Sequence, residues 1–380
     1  MMLFYRNKII KHKERMILAD LVHYLESIAP LSYQESYDNA GLIVGNPQQV
    51  INQALISLDC TEDVIDEAIR GGYNLIISHH PIVFKGLKRF NGQNYVERVV
   101  IKAIKHDIAL YAIHTNLDNV VDGVNKKITE KLHLQNPVIL LPKNELLNKL
   151  VVFVPKSHAE ELRDALFKAG AGAIGHYSEC SFSTIGIGSF KAGKEADPYV
   201  GNIGERHREE EERIEVIYPR YIERKLLIAM YEHHPYEEVA YDIYRLENRH
   251  DRVGSGMIGI LKEPLDERDF LAFLKTQLST NVIRHTAFRH KKIQRVAVCG
   301  GAGGFLLSQA IKQGADVFVT ADYKYHEFFD AEGKIIIADV GHFESEQFTQ
   351  ELLLEIIQKK FPNFAVRLTG VNTNPINYYI

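Results

Sequence analysis

A chain of 380 residues, 46% hydrophobic and 25% charged, has the composition of a globular protein of two or three domains, and disordered or fibrous classes are excluded. Forty-five basic against 49 acidic residues leave a net charge of −4, so nothing draws the chain to nucleic acid or an anionic membrane, and a nucleic-acid partner is the least expected. Three cysteines at unrelated spacings, Cys60, Cys180 and Cys299, exclude a disulfide framework and a thiolate zinc knuckle, and no apolar run reaches the length of a membrane span, so a cytoplasmic chain is expected.

The first fifteen residues are basic but lack the apolar core and cleavage site of a secretory signal. Met16 reads as the start, with residues 1–15 an N-terminal extension. Leu18, Leu21, Val22, Leu25 and Ile28 recur at helical spacing until Pro30 ends the run. A strand over 54–59, a helix over 61–70, Gly71-Gly72 and a strand over 74–77 then lead into Ser78-His79-His80-Pro81. A further strand, 108–113, delivers His114-Thr-Asn-Leu-Asp118.

Residues 146–250 differ in texture. A strand over 150–154 precedes Ser157 and Glu160, spaced as a capping box, and a helix that Gly170 stops. A polar, Gly-rich stretch follows over 191–212, whose acidic run Glu209–Glu212 reads as a solvated loop or helix face. A strand over 214–218 and helical material over 220–246 complete a strand, helix, strand, strand, helix order, which suggests a ferredoxin-like α+β module. His233-His234-Pro235 lies in that helical material with no strand before it, so it reads as a helix-end feature and not a metal site.

The remainder repeats the first stretch. A strand over 295–300, a helix over 305–313, Gly314 and a strand over 316–319 lead to Thr320-Ala-Asp322 with His326 close behind. A strand over 334–340 then delivers His342-Phe-Glu-Ser-Glu346. The expected fold is therefore a duplicated α/β core lobe, residues 16–145 and 251–380, interrupted by a ferredoxin-like α+β domain inserted at 146–250.

Ligands of open α/β sheets bind beyond the carboxyl ends of the strands, where these polar clusters fall. His79, His80, Asp118, His342 and Glu346 form a five-ligand set without sulfur, suited to two divalent ions per chain sharing one carboxylate. Nitrogen and oxygen donors fit Zn²⁺, taken first, or Fe²⁺, Mn²⁺, Co²⁺ or Ni²⁺. A lone histidine is more often a hydrogen-bonded core or surface residue than a ligand, and His114 and His326 are read as proton carriers beside the metals. Gly300-Gly-Ala-Gly-Gly304 fails the dinucleotide fingerprint, because Leu306 stands where its third glycine belongs. It is either a tight strand-to-helix turn or a set of exposed backbone amides that grips a phosphate or carboxylate at the Phe305 helix start. Lys85, Lys88 and Arg89 follow the histidine pair as candidate anion contacts or solvated cations.

Several segments together resemble the GTP cyclohydrolase 1 type 2 homologues, the Nif-three-like family. They are Tyr37-Asp-Asn-Ala-Gly-Leu-Ile-Val-Gly45, Ile77-Ser-His-His-Pro-Ile-Val-Phe-Lys-Gly86, His114-Thr-Asn-Leu-Asp118, Arg295-Val-Ala-Val-Cys-Gly-Gly-Ala-Gly303, Thr320-Ala-Asp-Tyr-Lys-Tyr-His326 and Gly341-His-Phe-Glu-Ser-Glu346. The resemblance covers residues 16–380, with Tyr37 where the family pattern has Trp. It implies the same five metal ligands, a PII/CutA-like middle domain and a ring-shaped homohexamer. It also implies hydrolytic opening of the guanine imidazole ring of GTP with release of formate; the same site chemistry on a nucleotide-like substrate suits attack on a phosphoester, with Lys85 steadying the charge. The rival expectation is a non-enzymatic metal-binding or regulatory protein with a ligand-sensing insertion.

Overall fold

The computed structural model describes residues 15–379, so the expected N-terminal extension lies outside the described residues except for Arg15. The chain folds as two compact units, one from the residues up to Leu140 and from Ser255 onward, the other from Leu141–Gly254. The architecture is mixed α/β, as expected, with several sheets and helices.

In the first unit a five-stranded sheet has the order Ala365–Leu368, Gln53–Ser57, Leu75–Ser78, Ala109–Ala112, Gly41–Val44, parallel except for the last strand. Leu75–Ser78 and Ala109–Ala112 are buried along their whole length, the pattern of parallel strands covered on both faces. The helices Glu62–Gly71 and Tyr95–Lys105 supply part of that cover. Val64, Ile65, Ala68, Val99 and Ala103 pack with Leu55, Ile76 and Leu110 in one apolar core.

Both helices are specified locally. Thr61 accepts a hydrogen bond from the Val64 amide, Glu62 and Asp63 sit in the first turn, and Gly72 closes the other end at φ +72°. Asn94 caps the second helix by accepting from the Glu97 amide at 3.0 Å.

The second sheet of this unit has six strands, in the order Arg284–His285, Ile336–Asp339, Val317–Ala321, Lys292–Ala302, His250–Asp266, Gln135–Lys143. Its three strands Lys292–Ala302, Val317–Ala321 and Ile336–Asp339 run parallel, like Gln53–Ser57, Leu75–Ser78 and Ala109–Ala112 in the first. The expected helix over 305–313 opens as a 3-10 turn, Gly304–Leu306, and becomes α-helical at Leu307–Lys312.

The second unit is an antiparallel sheet, Tyr241–Leu246, Leu147–Pro155, Arg206–Pro219, Phe182–Lys191, with helices Ala159–Ala169 and Glu223–His233. Leu150, Val152, Val154, Leu162, Leu166, Ile214, Val216, Leu226 and Met230 form its core.

Three local expectations are corrected here. The capping box at Ser157 is absent, because Lys156–His158 is a 3-10 turn, the helix starts at Ala159, and Ser157 Oγ lies 2.9 Å from His158 Nδ1. The acidic run Glu209–Glu212 belongs to the 14-residue strand Arg206–Pro219, paired on both sides, so ladder bonding overrides a composition poor for strand. The material over 220–246 is only partly helical: Tyr241–Leu246 is a strand alongside Leu147–Pro155. No helix among the described residues is long and apolar enough to cross a membrane.

Candidate metal centre

Parallel strands end at a common edge, and the first unit uses those ends to gather imidazoles. The ladder continues past Leu75–Ser78: the His79 amide donates to Ser57 O at 3.2 Å and the His80 amide to Leu58 O at 2.9 Å. The histidine pair is therefore held as an extension of the sheet and not as a loop. Ala109–Ala112 leads through Ile113 to His114 and the short helix Thr115–Asp118. In the other sheet Val317–Ala321 leads to Asp322. Ile336–Asp339 leads through Gly341, at φ +96°, to the short helix His342–Glu346, which puts its first and last residues on one face.

Three overlapping groups result, each with ligand atoms within 4.8 Å of one another: His79, His80 and His114; His80, His342 and Glu346; His79, Asp118 and Glu346. All five residues expected as ligands are in these groups, together with His114. His326 is not: it is exposed on the 3-10 stretch Tyr325–Ala331, against the rings of Tyr325 and Phe329, outside the cavity lining. His233 and His234 end a helix as expected, their rings bonded to Ala229 O and Phe153 O.

Each imidazole is oriented through Nδ1. His79 Nδ1 donates to Ile113 O at 2.8 Å, which fixes the tautomer and leaves Nε2 as a lone-pair donor. His80 Nδ1 meets Asp59 Oδ1 at 2.7 Å, His114 Nδ1 meets Asp38 Oδ1 at 2.8 Å, and His342 Nδ1 meets Asp322 Oδ2 at 2.6 Å. A carboxylate or carbonyl behind every histidine is the outer-sphere arrangement of metal sites. Asp38, Asp59 and Asp322 were not assigned roles from sequence, although Asp38 and Asp322 sit inside the segments quoted above and Asp59 ends the strand expected over 54–59.

The Nε2 atoms face one another and two carboxylates. His80 Nε2 and His342 Nε2 are 3.3 Å apart, and each lies about 3 Å from Glu346 Oε2, at 2.9 and 3.0 Å. His79 Nε2 lies 3.6 Å from Asp118 Oδ1 and 3.9 Å from Glu346 Oε2. Neither His79 Nε2 nor Asp118 Oδ1 has a hydrogen-bond partner, although both atoms are buried. A buried polar atom without a partner is costly, and two such atoms facing each other suit a shared cation.

The electrostatics of the metal-free chain agree. Burial holds His79 neutral, down at about 3. Burial opposes charge on His80 and His342 too, but Asp59 and Glu346 raise the first to about 9, and Glu346 and Asp322 raise the second to about 11. Burial and the neighbouring Glu346 push Asp118 well up, while His342 and His80 hold Glu346 well down against its own burial. Crowded buried charges of both signs make these residues a candidate functional centre.

The cluster forms one wall of a cavity of about 910 Å³ in the same unit. Gly300 and Ala302 of the glycine-rich run line it, and three amides of the run hold the turn itself. The Gly300 amide donates to Asn125 Oδ1, that of Gly301 to Ser345 Oγ and that of Gly303 to Thr320 Oγ1, so these amides are already used. Gly301, at φ +59°, instead makes room for Glu346: a Cβ there would collide with Glu346 Oε1.

Comparison with known proteins finds relatives over nearly the whole chain. The description Duf34/NIF3 (NGG1p interacting factor 3) matches residues 16–375. A Bacillus subtilis protein named GTP cyclohydrolase 1 type 2 homolog is 38% identical over 94% of this chain and 97% of its own. A Staphylococcus aureus protein of the same name is 34% identical over 96% of this chain and 100% of its own. Among solved structures, a Bacillus cereus protein described as related to NIF3 superposes with TM-score 0.84 at 39% identity, covering 96% of this chain and 100% of that one.

Proposed function

The chain belongs to the Duf34/NIF3 family, and from that premise we propose that it is a two-metal-dependent hydrolase that opens a purine-type ring in a nucleotide-like substrate with release of formate. The observation that carries the metal half is the facing pair His79 Nε2 and Asp118 Oδ1, buried and without partners. His79, Asp118 and Glu346 would hold one ion and His80, His342 and Glu346 the other, with Glu346 common to both. The donor set is imidazole and carboxylate, which suits zinc and also Fe²⁺, Mn²⁺, Co²⁺ or Ni²⁺. Bound there, the ions would supply Lewis-acid polarisation and a lowered pKa for water.

The chain's own groups do the rest. Asp38 locks His114 by its Nδ1, with the Thr115 amide donating to the second Asp38 oxygen at 3.0 Å, so the ring presents Nε2 as the proton carrier. His114 lines the cavity and His326 does not, which favours His114 for that role. Asp59 and Asp322 keep His80 and His342 aimed.

The same reading takes the two parallel strand trios as copies of a duplicated lobe. It takes Leu141–Gly254 as a ferredoxin-like insertion of the PII/CutA kind, given its strand, helix, strand, strand, helix, strand order. Assembly into a homohexamer in the cytoplasm completes the proposal.

Formate release from guanine nucleosides and nucleotides by the full chain, stripped and reloaded with each metal, tests the function. Formate that appears only with metal and is lost in His114→Ala is expected. Full loading with no turnover of any member would reject the hydrolase.

A further inference from the structure

The residues that line the cavity restrict what can enter it, and they do not suit a polyanion. Among the described residues of the lining, Lys85 is the only lysine or arginine, against four carboxylates, Glu35, Asp59, Asp118 and Glu346. Two divalent ions would add four positive charges, but the carboxylates around them, three of which are already in that count, offset these. Asp118 and Glu346 among the ligands and Asp38, Asp59 and Asp322 behind the histidines are five carboxylates around them, so no net positive charge is left for a ligand. Sites that hold triphosphates use several cations and a run of free backbone amides. Here the amides of Gly300, Gly301 and Gly303 are already bonded to side chains.

The lining is instead aromatic. Tyr37, Phe84, Tyr95 and Phe305 line the cavity while exposed by 66, 47, 59 and 64%. Large aromatic faces open to solvent are informative where they border a pocket, because a planar ligand would cover them. Phe84 is joined to the metal centre by ring contacts: its centroid is 5.6 Å from that of His114, which lies 5.2 Å from His79 and 5.4 Å from His80. A ring laid on Phe84 is therefore beside the reacting groups, and Lys85 is the next residue in the chain.

We propose that the cavity takes a planar heteroaromatic ligand carrying at most one anionic group, such as a nucleobase, nucleoside or nucleoside monophosphate, with Phe84 as the stacking platform and Lys85 as the contact to the single anion. This rests on the hydrolase reading and narrows its substrate from nucleotides in general to those with one phosphate or none. Phe84 and Lys85 are specificity residues in this account, and neither is a metal ligand.

The test is equilibrium dialysis of guanosine, GMP, GDP and GTP against the zinc-loaded full chain at buffered free zinc, with Phe84→Ala and Lys85→Ala alongside and folding checked by circular dichroism. The expected result is that GMP binds at least as tightly as GDP and GTP. Phe84→Ala should weaken guanosine and GMP alike by about tenfold, the scale of one stacking contact. Lys85→Ala should remove only the preference of GMP over guanosine. Affinity that climbs with each added phosphate, an unchanged Phe84→Ala, or a zinc-loaded chain that binds none of the four would overturn the proposal. Product analysis of the same mixtures separates the two readings: GMP bound as expected but never cleaved would remove the hydrolase and leave the ligand class standing.

Discussion

Thr373 donates its hydroxyl proton to Asp59 Oδ2 at 2.7 Å, while Asp59 Oδ1 faces His80 Nδ1 at the same distance. The residues in contact are 314 positions apart in the chain. The C-terminal strand Ala365–Leu368 makes this possible by pairing in parallel with Gln53–Ser57, so the segment after it crosses the site. Asn374 adds a bond to Glu344 Oε1 at 3.2 Å.

Thr373→Val keeps the shape of the side chain and removes the donor. Zinc affinity should fall by about fivefold, the equivalent of one hydrogen bond of about 1 kcal/mol, with folding unaffected. Competition against a chelating dye measures this. Unchanged affinity would show that Asp59 needs no support from the C-terminal segment.

Asp322 combines a left-handed backbone, φ +59°, with the contact to His342 Nδ1. Asparagine tolerates that backbone, so Asp322→Asn isolates the loss of charge from the loss of conformation. Metal affinity should drop by about 10- to 100-fold, as for other outer-sphere carboxylates. The melting temperature of the metal-free protein should move little.

Much of this centre was legible along the chain because buried parallel strands have a plain signature. An apolar run such as Leu75–Ile77 followed at once by Ser78-His79-His80 marks both the strand and its carboxyl end. The partners behind the histidines were not legible. Asp59 is 21 residues from His80, Asp38 is 76 from His114, and nothing in the spacing ties them together. Ala365–Leu368 is four residues of mixed character whose place at the sheet edge comes from pairing alone. In the second unit, Glu209–Glu212 looked like loop because glutamate is a poor strand former; pairing with Phe182–Lys191 along the whole run, and with Leu147–Pro155 at Glu211 and Glu212, supplies the stabilisation instead. The capping box failed for a local reason: a 3-10 turn moved the helix start past Ser157.

Gly301→Ala should impair the site without touching a ligand. The substitution strains a backbone at φ +59° and drives a methyl into the Glu346 carboxylate. A loss of about 1–3 kcal/mol of stability is expected from the strain, with weaker binding of both metals. Thermal unfolding and metal titration of the variant check the two effects separately.

His234, buried in the second unit, is a neutral imidazole with a defined tautomer. Its Nε2–H donates to Phe153 O at 2.9 Å, and its Nδ1 accepts from the Tyr236 amide at 3.1 Å. Burial lowers its pKa below the ordinary 6.5. The unfolded chain therefore binds the proton first, and stability is lost as pH falls from about 6.5 toward the folded value. Above that range the group has no effect. Hydrogen exchange of residues 223–246 should be faster at pH 5.5 than at pH 7.5 after correction for intrinsic rates, and His234→Gln should flatten the difference. Equal pH dependence in both proteins would exclude His234 as its source.

Glu346 is common to two of the ligand groups, so metal content answers for the whole centre. The most direct measurement is elemental analysis of the full chain after loading and desalting, wild type beside Glu346→Ala, with circular dichroism to confirm that both are folded. Two equivalents of divalent metal per wild-type chain and none retained by a folded Glu346→Ala is the result expected here. A wild-type chain that retains no metal under any loading condition, or a variant that retains both ions, would contradict it.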